Sequence, residues 1–160
     1  MERNEFINKL RESAKNLAEV MGCKNFETRK GDCGIWDKIY PNAKMTDYLE
    51  KNYGDCSTEW RFSNESNDTE ILTRFRFSSP CISVKRRVSI PAEHGRLLKR
   101  TDFIELEFTN IAYSVNDRGD EEQIETDFRC AEIILWGNWF ELKDNLLNCL
   151  DKDIRDIVKL

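Results

Sequence analysis

Few residues in this 160-residue chain have the types and spacing that enzyme chemistry demands. His94 is the only histidine, so a serine or cysteine nucleophile that relies on an imidazole base must find it there. It lies in Pro91-Ala-Glu-His-Gly-Arg-Leu-Leu-Lys-Arg100, with no nucleophile-elbow or cysteine signature beside it. Metal-assisted hydrolysis needs converging carboxylates, and Glu105, Glu107, Asp127 and Glu132 instead alternate with apolar residues as in ordinary strands. Six cysteines (Cys23, Cys33, Cys56, Cys81, Cys130 and Cys149) contain no C-x-x-C pair. Cys23, Cys33 and Cys56 with His94 match no zinc spacing. The expectation is a protein that is not an enzyme and holds neither metal nor cofactor.

Binding chemistry is better represented. Residues 74–100 hold eight Lys and Arg against Glu93 alone, a net of +7, so a chain of total charge −5 carries −12 elsewhere. Generic nucleic-acid binding by the whole surface is disfavoured, while a local basic site is not. The candidate binding residues are Arg74, Arg76, Lys85, Arg87, His94 and Arg96. No phosphate-loop glycine pattern accompanies them. Cross-strand charge pairing on a solvated face, with Glu105 and Glu107 answering the cations, competes with a basic surface for a phosphate-bearing or acidic partner. A second candidate surface joins the acidic turn Asn116–Glu122 to the aromatics Trp36, Tyr40, Tyr48 and Tyr53 of an irregular stretch between Cys23 and Cys56.

These residues must be held by a sheet. Ile71, Thr73, Phe75 and Phe77 alternate with Glu70, Leu72, Arg74 and Arg76 from Thr69 onward, and Ile82, Val84, Val88 and Ile90 resume the pattern after Ser78-Ser-Pro80. A hairpin is expected, with Phe77 opposite Ile82, Phe75 opposite Val84 and Arg74 opposite Lys85; Arg86 then interrupts the apolar face as a bulge or strand end. Thr58 to Asn64, Asp102 to Ser114 and Thr126 to Trp136 supply the other strands, the last with two apolar faces that imply a central or helix-covered place.

Phe6, Ile7, Leu10, Ala14, Leu17, Val20 and Met21 recur at helical steps between Asn4, a candidate cap, and Gly22, a candidate stop. A last helix follows Gly137-Asn138, with a break at Asp151. Length and composition suit one α+β domain, a roughly five-stranded antiparallel sheet packed against N-terminal and C-terminal helices.

Met1-Glu-Arg-Asn-Glu-Phe6 has charges where a secretory signal needs an apolar core, and no run suits a membrane span. A cytoplasmic chain with reduced thiols is the expectation. Segregated charge without catalytic constellations points to a small acidic binding protein that occupies a macromolecular partner, most naturally a protein, as inhibitors and immunity proteins do. The competing reading is a small-molecule, nucleotide or single-stranded nucleic-acid binder, with hydrolysis as an extension, working through the basic face of residues 74–100. A single-strand reader wants aromatics interleaved with cations on one face, and Phe75 and Phe77 point away from Arg74 and Arg76.

Overall fold

The computed structural model describes residues 3–30, 57–75, 79–115 and 121–160. The fold is α+β: a six-stranded antiparallel sheet in sequential order, covered on one face by the N-terminal and C-terminal helices. The strands are β1 (Asn25–Lys30), β2 (Ser57–Ser63), β3 (Thr69–Arg74), β4 (Cys81–Pro91), β5 (Leu97–Val115) and β6 (Glu121–Trp136). The helices are α1 (Arg3–Val20), α2 (Phe140–Cys149) and α3 (Lys152–Ile157). The sixth strand is β1, where Phe26 and Thr28 pair with Phe62 and Trp60. No described helix is long and apolar enough to cross a membrane.

The apolar stripe of α1 behaves as its spacing predicts as far as Leu17, whereas Val20, expected on the same stripe, is 63% exposed and Met21 is half-buried. Phe6, Ile7, Leu10, Ala14, Leu17 and Ala18 are buried against Ile71, Ile82, Ile104, Leu106 and Phe108 of the sheet and Leu142, Leu146 and Ile154 of the last two helices. Each Phe, Ile or Leu among them contributes on the order of 1.5–3 kcal/mol by leaving water. Phe6 meets Phe108 edge-to-face at 5.2 Å, which ties the helix to the middle of β5. The helix stops in a Schellman arrangement: Gly22, at φ +68°, donates to the Glu19 carbonyl, and Cys23 N–H reaches the Ala18 carbonyl at 2.8 Å. At the opposite terminus Asp151 caps α3 by accepting from Asp153 N–H at 2.9 Å, and Ser13 of α1 accepts from Asp151 N–H at 2.9 Å. Lys9 joins the same corner through Glu5, Asp151 and Asp153.

Strand faces follow the alternation, but the register of the first hairpin differs by four residues. Thr73 lies opposite Ile82, Ile71 opposite Val84 and Arg74 opposite Cys81, while Lys85 faces Glu70. Phe75 leaves the pairing and packs inward under Arg11 and against Trp60. The shift keeps the described side chains of both strands on their expected faces and replaces the repulsive Arg74–Lys85 neighbourhood with an attractive one. Arg86 neither bulges nor ends the strand; it pairs with Thr69 on one side and Asp102 on the other.

The final strand lies at the sheet's edge rather than its centre, with α3 and the core on its inner side. A register shift after Glu107 leaves Ala131 as the extra residue, so Cys130 lies opposite Phe108 and packs inward with Ile133 and Leu135. Alternation alone assigns Cys130 to the other face.

Candidate functional site

β5 is the longest strand, and its two neighbours overlap it only in part. Pairing of β4 with β3 ends at Thr69 opposite Arg86, and pairing of β5 with β6 begins at Phe103 opposite Trp136. Between those limits β4 and β5 continue together from Arg87 opposite Thr101 to Pro91 opposite Leu97. Residues 87–101 therefore form a two-stranded arm that projects from the sheet. Its five cross-strand pairs extend it by roughly 17 Å at about 3.3 Å per residue. The tip closes through a 3-10 turn at Glu93–Gly95, with Ala92 N–H donating to the Arg96 carbonyl at 2.8 Å. His94 and Gly95 both take left-handed backbone angles there.

The root of the arm is fixed by one carboxylate. Asp102, with no exposed surface, accepts from Arg100 Nε at 2.8 Å and Nη2 at 3.2 Å, and from Arg86 Nη2 at 3.4 Å. The backbone N–H of Asn138 donates to it at 2.6 Å. Burial works against its charge, but Arg100, the Asn138 amide and Arg86 together hold the carboxyl below the usual range. Arg86 also reaches Glu141 of α2 at 3.0 Å, so the arm's root is linked to the last helices. Gly137 must be glycine: its φ is +64°, and a Cβ would stand 2.3 Å from the Thr101 carbonyl oxygen.

The cations of the basic segment separate into two groups. Arg74 is held by Glu59 at 3.2 Å, and Arg86 and Arg100 by Asp102. Lys85, Arg87, Arg96 and Lys99 have no ion pair among the described residues. Lys85, Arg87 and Lys99 share the outer face of the sheet, and Arg96 follows at the tip. Exposure grows along that face. Cys81 and Ser83 are buried, Lys85 is half-buried, and Arg87, Ser89, Leu97 and Lys99 are exposed. The tip adds apolar surface, with Leu97 69% and Leu98 59% exposed. At the arm's base a cleft of about 550 Å³ is lined by Ser66, Asp68, Arg86, Arg87, Ser89 and Lys99, among others. Asp68 in that cleft is already satisfied by Asn64, Ser66 and Thr69, and these hydrogen bonds hold its pKa down.

Glu105 and Glu107 do not answer the basic ladder; they lie opposite Ser83 and Cys81. Burial first, and then the neighbouring Glu105 carboxylate, push the Cys81 thiol up to about 12. Glu59 and Glu70 take the pairing role instead, with Glu70 bound to Arg61 at 2.8 Å and facing Lys85 across the strands.

Of the sequence candidates, Lys85, Arg87, His94 and Arg96 come together on or beside the arm, whereas Arg74 lies at the far end of β3 in an ion pair. Arg76, Trp36, Tyr40, Tyr48 and Tyr53 fall outside the described residues, as do Cys33, Cys56 and residues 116–120 of the acidic turn. Glu121 and Glu122 of that turn belong to β6. The sequence groups Lys99 and Arg100 with His94, Gly95 and Arg96 in one anion-binding connection, and the structure keeps Lys99 on the outer face but gives Arg100 to Asp102. Asp102 as the anchor was missed; its signal is positional, an inward place in the strand alternation.

Among the described residues no group of three or more His, Cys, Asp or Glu is placed to hold a metal ion. The chain matches no protein-family model, no curated protein and no solved structure.

Proposed function

We propose that this is a binding protein that works by occupying an acidic macromolecular partner, and that the outer face of the β4–β5 arm is the surface it presents. The observation that carries this reading is the division among cations of one segment. Arg74, Arg86 and Arg100 are neutralised by carboxylates, while Lys85, Arg87 and Lys99 follow one face toward an exposed tip that holds Arg96, and none of these four has an ion pair among the described residues. A chain of net charge −5 has carboxylates to spare, yet among the described residues it leaves these four cations without one.

A projecting arm with unpaired cations gives a local positive field on an acidic molecule, which orients encounter with a negative partner. Leu97, opposite Pro91 on that face, supplies the apolar contact that makes such an encounter last. Where the partner is a protein, occupation of an acidic cleft is the manner in which an inhibitor or immunity protein acts.

The test uses heparin, a polyanion without aromatic rings. The full chain is expected to bind immobilised heparin at low salt despite its acidic total, and the double variant Arg87→Gln, Lys99→Gln to lose most of that binding. Retention of the double variant equal to the wild type, or failure of the wild type to bind, overturns the reading.

A further inference from the structure

At the root of the arm the outer face carries two rings in the same row as Lys85. Lys85 lies opposite Phe103, and Phe103 opposite Trp136, across β4, β5 and β6. The Phe103 and Trp136 rings are stacked, with centroids 4.6 Å apart and planes inclined by 23°. Trp136 is 52% exposed at the edge of the sheet, with Phe103 against one side of its indole. From this row Arg87 and Lys99 continue along the arm at successive outward positions, about 7 Å apart along a strand. Rings and unpaired cations thus share one face, the interleaving that Phe75 and Arg74 do not provide.

Resting on the reading of the arm as the binding surface, we propose that its acidic partner is a single-stranded nucleic acid, with a base stacked on Trp136 and the phosphates led along Lys85, Arg87, Lys99 and Arg96. An indole held by a second ring is a pre-oriented platform for any nucleobase, because every base has a π-face. Strands lie about 4.8 Å apart, so Trp136 and Lys85 are separated by roughly 10 Å, within reach of neighbouring nucleotides. An acidic polypeptide offers the indole a flat π-face only where it carries an aromatic side chain, whereas every nucleotide carries one. A duplex would use the cations and leave the rings idle, since its base faces are already stacked on one another. Glu105 and Glu132 occupy the outer face on the far side of the row, opposite Ser83 and Glu107, and repel a backbone running that way. The strand is thereby directed toward the arm.

The experiment is a fluorescence-anisotropy titration of labelled single-stranded oligothymidylate with the full chain, compared with a duplex of equal length and with heparin. Wild type is expected to prefer the single strand. Its log K should fall against log salt with a slope near −3, about 0.7 per phosphate for four contacts. Trp136→Ala should weaken oligothymidylate binding about tenfold and leave heparin binding unchanged, and Trp136→Phe should restore most of the loss. Unchanged thermal melting of both variants checks that the exposed ring is not needed for folding. Equal binding of oligothymidylate by Trp136→Ala and wild type, or preference for the duplex, overturns the nucleic-acid assignment. Heparin bound but oligothymidylate ignored overturns it too, and leaves the arm as a surface for an acidic protein. If neither polyanion binds, both readings fall.

Discussion

Lys99 and Arg100 are neighbours in β5 with opposite assignments: the Arg100 guanidinium grips buried Asp102 through Nε at 2.8 Å and Nη2 at 3.2 Å, whereas Lys99 lies exposed on the outer face with no ion pair among the described residues. Arg86 and Arg87 repeat the relationship in β4, where they lie opposite Asp102 and Thr101. One cation in each pair builds the arm's root, and the other is available to a partner.

The two neighbours should therefore respond differently to the same substitution. Arg100→Gln removes a charged two-point hydrogen bond to a buried carboxylate and is expected to cost ~1–2 kcal/mol, reduced from the buried-pair figure because the guanidinium is partly exposed. Lys99→Gln should change stability by no more than ~0.5 kcal/mol. Urea unfolding of the two variants measures both; equal losses would mean that Lys99 is also structural.

Asp102 gives the protein an acid-sensitive joint. Its pKa lies below the usual carboxylate value of about 3.9, so its contribution is fully present above that value and is lost as pH falls through the folded-state value. Asp102→Asn should cost ~2–4 kcal/mol near neutral pH, since Arg86 and Arg100 then lose their shared anion. The variant's stability should also decline less steeply below about pH 4. Parallel acid limbs for the two proteins, measured by urea unfolding from pH 7 to 2.5, would show that Asp102 does not carry this dependence.

Gly137→Ala tests the close approach of the β6–α2 connection to the arm's root. The left-handed φ of +64° and a Cβ position 2.3 Å from the Thr101 carbonyl oxygen both oppose a side chain. A loss of ~2–3 kcal/mol is expected by thermal or urea unfolding. Gly22→Ala, with an equally left-handed φ but open space around it, should cost only ~1 kcal/mol. A similar loss at both sites would remove the steric argument.

The Cys81 thiol, pushed up to about 12 by burial and by Glu105, should resist alkylation at pH 8 in the native state. Iodoacetamide labelling read by peptide mass spectrometry should find the Cys81 peptide unmodified until denaturant is added. Rapid native labelling there would show that the outer face is open at that end of the sheet.

Much of the sheet was legible because strand alternation is a local signal. Thr69 to Arg74, Ile82 to Ile90 and Ile104 to Phe108 show their faces directly in sequence. What was not legible depends on pairing at a distance. A tight turn at Ser78-Ser-Pro80 would place Arg74 opposite Lys85. The observed register places Glu70 opposite Lys85 and frees Phe75 for the core, an advantage visible only once α1 and Trp60 are in place. β1 was missed because its partner β2 begins 27 residues after Lys30, so no hairpin turn announces it. The site was half legible: the excess of cations could be counted, but which of them are already neutralised could not. Asp102 and Arg100 stand at inward positions of a strand otherwise apolar on that side, the one sequence sign of a buried ionic joint. The ring pair Phe103 and Trp136 comes from strands separated by the whole β5–β6 hairpin and was beyond local reading.

The central claim, that the outer face of the arm is the working surface, is tested most directly by hydrogen–deuterium exchange of the full chain with and without saturating heparin. Arg87 N–H donates to the Asp68 carbonyl at 2.7 Å, and beyond it the strand pairing of residues 88–101 lies within the ribbon, so a bound polyanion should slow exchange there, with little change in α1 or β3. Protection confined to another part of the chain, with 87–101 unchanged, would contradict the account.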